Sequence, residues 1–212
     1  MNTDFPEIIW LGHASLQIKT SVGNFFIDPW KITGKSKATA VMVTHGHFDH
    51  LSPDDIKKLL EPGKPLIAPP DCLKDLHQYD CHAIKPGETL NFTGWSVTGI
   101  AAYNPDKQFH PRNNHWVGYL LQVDNTRIYV AGDTDLTPEM QEVKADIVIL
   151  PVGGTYTMNY QDAARAVRKI KPRLAIPIHF GDIVGEPEDG RKFADELREF
   201  QVKILQPKQV EP

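Results

Sequence analysis

The sequence is poor in cysteine, in basic clusters and in long apolar runs. Cys72 and Cys81 are the only cysteines among 212 residues, and they lie beside Asp71 and His82. Two thiols exclude a disulfide framework, and a thiolate metal site would need more ligands nearby than these neighbours supply. They read as reduced thiols. No apolar stretch approaches the roughly 18 residues that cross a bilayer. Met1–Glu7 carries two acids and no basic residue, and Ile8-Ile9-Trp10-Leu11 is too short for the apolar core of a secretory signal. The chain therefore reads as cytoplasmic, without a membrane partner. Its 23 Lys and Arg against 27 Asp and Glu give a formal charge of −4, and the basic residues form no run. Nucleic acid is a disfavoured partner, since phosphate binding needs a concentrated basic face. No low-complexity linker or break in composition divides the chain, so residues 1–212 read as one domain. A homo-oligomer remains compatible with all of this.

What is present is an ordinary globular composition, 41% hydrophobic and 24% charged, sufficient to bury a core. Short β-branched segments predict strands at Ile8–Lys19, Asn24–Asp28, Ala40–Thr44, Leu66–Ala68, Ser96–Ala102, Gly118–Val123, Arg127–Ala131, Asp146–Pro151, Leu174–Ile178 and Val202–Leu205. Helices are expected at Pro53–Leu60, Asp71–Gln78, Pro138–Val143, Tyr160–Ile170 and Gly190–Phe200. Ser52-Pro53-Asp54-Asp55 carries an N-cap, a first-turn proline and first-turn acids. The pattern is that of an α/β fold with sheets inside and helices outside.

The chemistry concentrates in one segment. Three of the nine histidines and one aspartate fall within His45–His50. Packing alone has no use for four strong ligands so close together. His45 and His47 follow a buried strand at i and i+2, so an extended chain points both to one side. Asp49 and His50 come after a turn and can serve a second position. Imidazole and carboxylate without thiolate suit Zn²⁺, and also Mn²⁺ or Fe. Three further strands stop at a ligand type: Phe25-Phe26-Ile27 at Asp28, Arg127–Gly132 at Asp133, and Leu174–Ile178 at His179. Ligands at the ends of strands in common sheets can converge on one rim.

These residues carry a resemblance. His45-Gly46-His47-Phe48-Asp49-His50 resembles the HxHxDH signature of the metallo-β-lactamase superfamily. Gly132-Asp133-Thr134-Asp135 is similar to its later Gly-Asp-Thr motif, and Pro177-Ile178-His179-Phe180 to its last histidine. Trp10-Leu11-Gly12-His13-Ala14-Ser15 and Ile27-Asp28-Pro29 look like the branch of ascorbate-6-phosphate lactonase-like proteins and predicted metal-dependent hydrolases. The resemblance implies an αββα sandwich, with mixed sheets inside and a site at one edge of both. It implies two divalent ions, zinc before manganese or iron. His45, His47 and a third histidine would hold one; Asp49, His50 and His179 the other; Asp133 would bridge them.

Many relatives place the third histidine directly after a strand, where this chain has Asn104, a poor ligand. His110 and His115 are the candidates, and His110 is preferred because Ala102-Tyr103-Asn104 followed by Phe109-His110-Pro111 looks like a pattern of this branch. The implied nucleophile is a hydroxide bridging the ions, oriented by Asp49. Two carboxylates and one hydroxide against two divalent ions leave about +1 of formal charge, which favours a small anionic lactone, ester or phosphodiester. His13, Asp28, Asn104 and Tyr156 are candidates for supporting the ligands or lining the pocket. Asp28 could instead be an Asp-Pro turn and His13 a hairpin cap. Other readings are a nucleic-acid-processing nuclease of the same superfamily, a di-iron redox enzyme, or a metal-binding module without catalysis.

Overall fold

The opening strand-forming stretch folds as an antiparallel meander. In the computed structural model, which describes residues 5–211, β1 (Glu7–Gly12), β2 (Ser15–Thr20) and β3 (Gly23–Ile27) pair antiparallel. Met1–Asp4, part of the segment read above as lacking a signal core, lies outside the described residues. β4 (Ala40–Met42), β5 (Leu66–Ala68) and β6 (Cys81–Ala83) then add in parallel, giving the sheet order β1-β2-β3-β4-β5-β6. The second sheet repeats the scheme. β7 (Thr89–Phe92), β8 (Trp95–Ala101), β9 (Val117–Val123) and β10 (Thr126–Val130) are antiparallel neighbours, and β11 (Ile147–Pro151) and β12 (Leu174–Ile178) extend it in parallel.

Strand direction decides where the site lies. β1, β3 and β4 run the same way in the first sheet; β8, β10 and β12 run the same way in the second. The residues just after these strands therefore gather at one edge of each sheet.

The sheets face one another because each strand splits its side chains between two faces. Phe25 and Ile27 of β3 belong to the cluster that contains Trp95, Val97, Tyr119 and Leu121 of the second sheet. Phe26, between them, belongs instead to the cluster of Ile56 and Leu59 from α1 (Pro53–Leu59). Phe25 meets Trp95 edge to face at 4.9 Å, and the Tyr119 hydroxyl donates to the Val43 carbonyl at 2.6 Å across the sandwich. Full burial of a side chain such as Phe25 stabilises by about 1.5–3 kcal/mol. On the second sheet's outer face, α3 (Tyr160–Ile170) buries Ala163, Ala164 and Val167. α2 (Pro138–Gln141) and α4 (Asp189–Glu196) pack against α3. The αββα sandwich is as expected.

Several boundaries differ. The expected strand Ile8–Lys19 breaks at Gly12–Ser15, where His13 takes a left-handed backbone, φ 48°. Asp71–Gln78 is a 3₁₀ helix over Pro70–Asp75 that buries Cys72 alone, too weak an apolar face for an α-helix. The helix expected at Pro138–Val143 ends at Gln141, and that at Gly190–Phe200 ends at Glu196. Val202 makes an isolated bridge to Ala175 instead of a strand through Leu205. β6 and β7 were not expected, since each is short and mostly half-buried or exposed and shows little hydrophobic pattern. No helix among the described residues is long and apolar enough to cross a membrane.

Candidate metal centre

Six strand ends deliver the site. β1 leads to His13, β3 to Asp28, β4 through Val43-Thr44 to His45, β8 to Asn104, β10 to Asp133 and β12 to His179. The sheets are tied together there: the Val117 amide donates to the Thr44 carbonyl at 3.2 Å, and that of His179 to the His13 carbonyl at 3.0 Å. Gly132, at φ +66°, holds a backbone that a side chain would strain, and a Cβ there would crowd that of Thr44 at 3.1 Å. His13, Asp28 and His179 have positive φ as well, at 48°, 47° and 60°. Non-glycine residues adopt that region at a cost of about 1–3 kcal/mol each, and such strain concentrates at functional sites.

The imidazoles are oriented from behind. Asp28, buried, accepts from the Thr44 amide at 2.7 Å and the Thr44 hydroxyl at 2.6 Å. Its Oδ2 also accepts from His50 Nδ1 at 2.7 Å, so His50 turns Nε2 forward. The same hydroxyl sits 3.0 Å from His45 Nδ1, and since its own proton goes to Asp28, it accepts there. Asn104 Oδ1 accepts from His110 Nδ1 at 2.8 Å and from the His110 amide at 3.1 Å. Fixing the far nitrogen in this way sets the tautomer that leaves a lone pair toward a metal.

Two groups of ligand atoms result, each gathered within 4.8 Å. One is His45, His47 and His110; the other is His13, Asp49, His50 and His179; a further set of His45, His50 and Asp133 overlaps both. Asp133 stands between them. Its Oδ1 is 3.4 Å from His50 Nε2 and 3.1 Å from His179 Nε2, while its Oδ2 is 3.4 Å from His110 Nε2. All seven ligand types expected from the sequence are thus brought together, and His110, not His115, completes the first group. His115 lies exposed beyond Trp116, at the end of a 3₁₀ turn. Trp116 forms a wall, its ring 4.9 Å from that of His45 and 5.0 Å from that of His47.

His13 is the residue whose role the sequence understated. Its Nε2 donates to Asp49 Oδ2 at 3.0 Å, and its ring lies 4.0 Å from that of His179. Only the Gly-His turn pattern hinted at this, and a hairpin cap would look the same in sequence.

Electrostatics separate the two groups. Burial pushes His45 well below the ordinary histidine value, and burial lowers His47 too, so both are neutral. Burial also acts to lower His50, but Asp133 and Asp28 overcome it and raise His50 well above the ordinary value. Asp133, despite burial, is held well below the usual carboxylate range by His179 and His50. Burial pushes Asp49 up, yet the His13 hydrogen bond and His50 bring it below its usual value.

A metal fits this cluster on one observation above all. His50 Nε2, His110 Nε2, His179 Nε2 and Asp133 Oδ1 are buried without a hydrogen-bond partner. Buried polar atoms are almost always paired, and unpaired ones demand an explanation such as a bound ion.

The family comparison agrees with this geometry. A model described as "Beta-lactamase superfamily domain" matches residues 7–179. The chain belongs to the metallo-β-lactamase superfamily, in its branch of metal-dependent hydrolases. A protein of Archaeoglobus fulgidus named as a metal-dependent hydrolase is 31% identical over 209 residues, covering 88% of this chain and 89% of its own. The crystal structure of a proposed metal-dependent hydrolase from Parabacteroides distasonis superposes with a TM-score of 0.83 at 31% identity, over 95% of this chain and 94% of that one. Igni18, a metallo hydrolase of Ignicoccus hospitalis, shares the fold with a TM-score of 0.79 at 22% identity, over 96% of each chain.

In this metallo-β-lactamase fold the cluster opens onto a cavity of about 240 Å³. His47, Asp49, His110, Asp133 and His179 form its floor; Phe48, Phe109, Tyr156, Ile183 and Val184 form its walls. Asn104 does not reach the cavity lining and acts through His110, whereas Tyr156 stands in the wall, its ring edge to face with Phe109 at 4.5 Å.

Proposed function

We propose that this chain is a hydrolase of small esters, lactones or phosphodiesters that works with two divalent ions, zinc in preference to manganese or iron. His45, His47 and His110 would hold one ion, Asp49, His50 and His179 the other, with Asp133 shared. The observation that carries the reading is the convergence of unpaired, buried imidazole and carboxylate atoms on one cavity floor. Nitrogen and oxygen donors without thiolate suit zinc in an open, catalytic site. Divalent ions held by these residues would lower the pKa of water toward neutrality and polarise a carbonyl or phosphoryl oxygen.

The protein's own groups supply orientation and proton handling. Asp49 lies at the floor, half-buried, with one oxygen fixed by His13. Its depressed pKa keeps it ionised at neutral pH, ready to orient the attacking water and to take up a proton briefly. His13 acts through Asp49 as a positioning residue. Asp28 and Asn104 keep His50 and His110 in the tautomers described above. Trp116 limits water on the imidazole side.

The test is metal analysis of the purified, zinc-loaded protein followed by a hydrolase panel before and after chelation. About two ions per chain and hydrolysis that chelation removes and zinc restores are expected. Less than one ion per chain with full folding, or hydrolysis indifferent to chelation, would overturn the reading.

A further inference from the structure

The cavity mouth is unlike the rest of the surface. The described residues expose four large hydrophobic side chains, and three of them, Phe48, Phe109 and Ile183, ring this mouth at 72%, 44% and 42% exposure. Scattered single hydrophobics need no explanation, but a cluster over a polar floor does. Phe48 sits between two candidate ligand positions and reaches outward, its ring edge to face with that of Trp30 at 6.2 Å. Small-molecule sites show this combination of apolar walls and a few convergent polar groups.

Cations are missing from the same place. Among the described residues, none lining the cavity is Lys or Arg. Lys107, on the neighbouring loop, is committed to Asp135 at 2.6 Å and to the carbonyls of Gly154 and Thr157 at 3.1 and 2.7 Å. Lys31 lies over the Trp30 ring and pairs with Asp182 at 3.3 Å. Buried Asp28 also changes the charge count. With Asp49, Asp133 and a hydroxide nucleophile it cancels the charge of two divalent ions, so the net positive charge expected from the sequence disappears.

From these features we infer that the substrate is an uncharged carboxylic ester or lactone bearing a short aliphatic or aromatic group, which packs against Phe48, Phe109 and Ile183. The inference rests on the hydrolytic reading above and narrows it. In the reaction water's oxygen bonds to the acyl carbon, the acyl C–O bond breaks, and a proton from the water passes to the departing alkoxide. The product is a carboxylic acid and an alcohol, or one hydroxy acid from a lactone. The cavity, below the ~300–1,000 Å³ of drug-sized sites, suits a short substituent better than a long acyl chain.

The experiment uses the zinc-loaded protein and two matched pairs of probes. p-Nitrophenyl butyrate is compared with p-nitrophenyl hemisuccinate, and also with bis(p-nitrophenyl) phosphate. The neutral butyrate ester should show kcat/KM at least about tenfold above the charged ester, the scale on which apolar pockets discriminate. The double variant Phe48→Ser/Phe109→Ser should raise KM for the butyrate about tenfold with metal content unchanged; both side chains are exposed, so folding should be little affected. Independently of turnover, calorimetry with the non-hydrolysable ketone 4-phenyl-2-butanone should show saturable binding that the double variant loses. Ketone binding without hydrolysis of any probe would sink the hydrolase reading and keep the apolar site. Preference for the hemisuccinate or the phosphodiester, or an unchanged butyrate KM in the variant, would sink the apolar site and keep the hydrolase.

Discussion

The two halves of the cluster differ in chemistry. The His45–His47–His110 side is all imidazole, backed by neutral groups, Thr44 and Asn104, and walled by Trp116. The other side is rich in carboxylate: Asp49 and Asp133 face the site, and Asp28 stands behind His50. The first half is organised by burial, which lowers the pKa of His45 and His47; the second by charge, which holds a proton on His50 until something displaces it. Under the two-ion proposal these positions should differ in affinity, in proton coupling and in response to mutation.

The largest effect should come from the one residue both halves share. Asp133→Ala removes the carboxylate next to His50, His110 and His179. Plasma mass spectrometry should find both ions lost, and hydrolysis should fall by about 10³-fold or more, the several kcal/mol that activated water contributes. Retention of two ions would break the assignment of Asp133 as the shared ligand. Next in size, His110→Ala and His179→Ala should each reduce stoichiometry from about two ions to one, from opposite halves. If either variant lost both, the halves would be one cooperative site.

The sequence showed the ligands better than their supports, and the reason is physical. Asp28, Asp133 and His179 could be read because each ends a short apolar strand, and strand direction then placed them on one rim. His50 and His45 belonged to an unusually dense cluster. The choice between His110 and His115 turned on loop geometry, which periodicity does not encode. It is decided by Asn104, whose side chain grips both the amide and the ring of His110. Asn104 itself looks like a defective ligand in the sequence and instead holds the ring of His110. His13 was obscured by the same limit, since Ile8–Lys19 reads as one strand and the left-handed turn at residue 13 leaves no apolar signature. Counting ligands alone leaves about +1 of formal charge, and only the inference of an uncharged substrate adds the buried Asp28 behind His50 to that count.

Those supports give the intermediate predictions. Asp28→Asn keeps the shape but removes one of the two charges that raise His50, the other being Asp133, and the acceptor pair that holds Thr44 and His50. Metal affinity on the carboxylate side should fall about 10–100-fold, the usual effect of losing such a partner, with the imidazole side less affected. Asn104→Ala should weaken the imidazole side by about tenfold, the lower end of that range, because a neutral acceptor is lost. Competition titration with a chromophoric chelator separates the two. An equal loss at both positions in either variant would erase the distinction between the halves.

The smallest effect is a pH dependence confined to one half. His50 has its folded pKa raised, so in the metal-free protein its contribution to stability is complete below the unfolded value near 6.5 and is lost as pH rises through the folded value. Metal binding must expel that proton, so affinity on this side should run the opposite way, falling by up to about tenfold per pH unit below the folded pKa of His50. Burial lowers the pKa of His45 and His47, so neither releases a proton on binding between pH 7 and 8. Calorimetry in buffers of different ionisation enthalpy should therefore count about one proton released at the carboxylate-rich position and none from His45 or His47. In Asp28→Asn the proton on His50 is less firmly held, and the release should shrink. A proton count that stayed the same in that variant would show that Asp133 alone sets the charge of His50, and that Asp28 serves only to orient it.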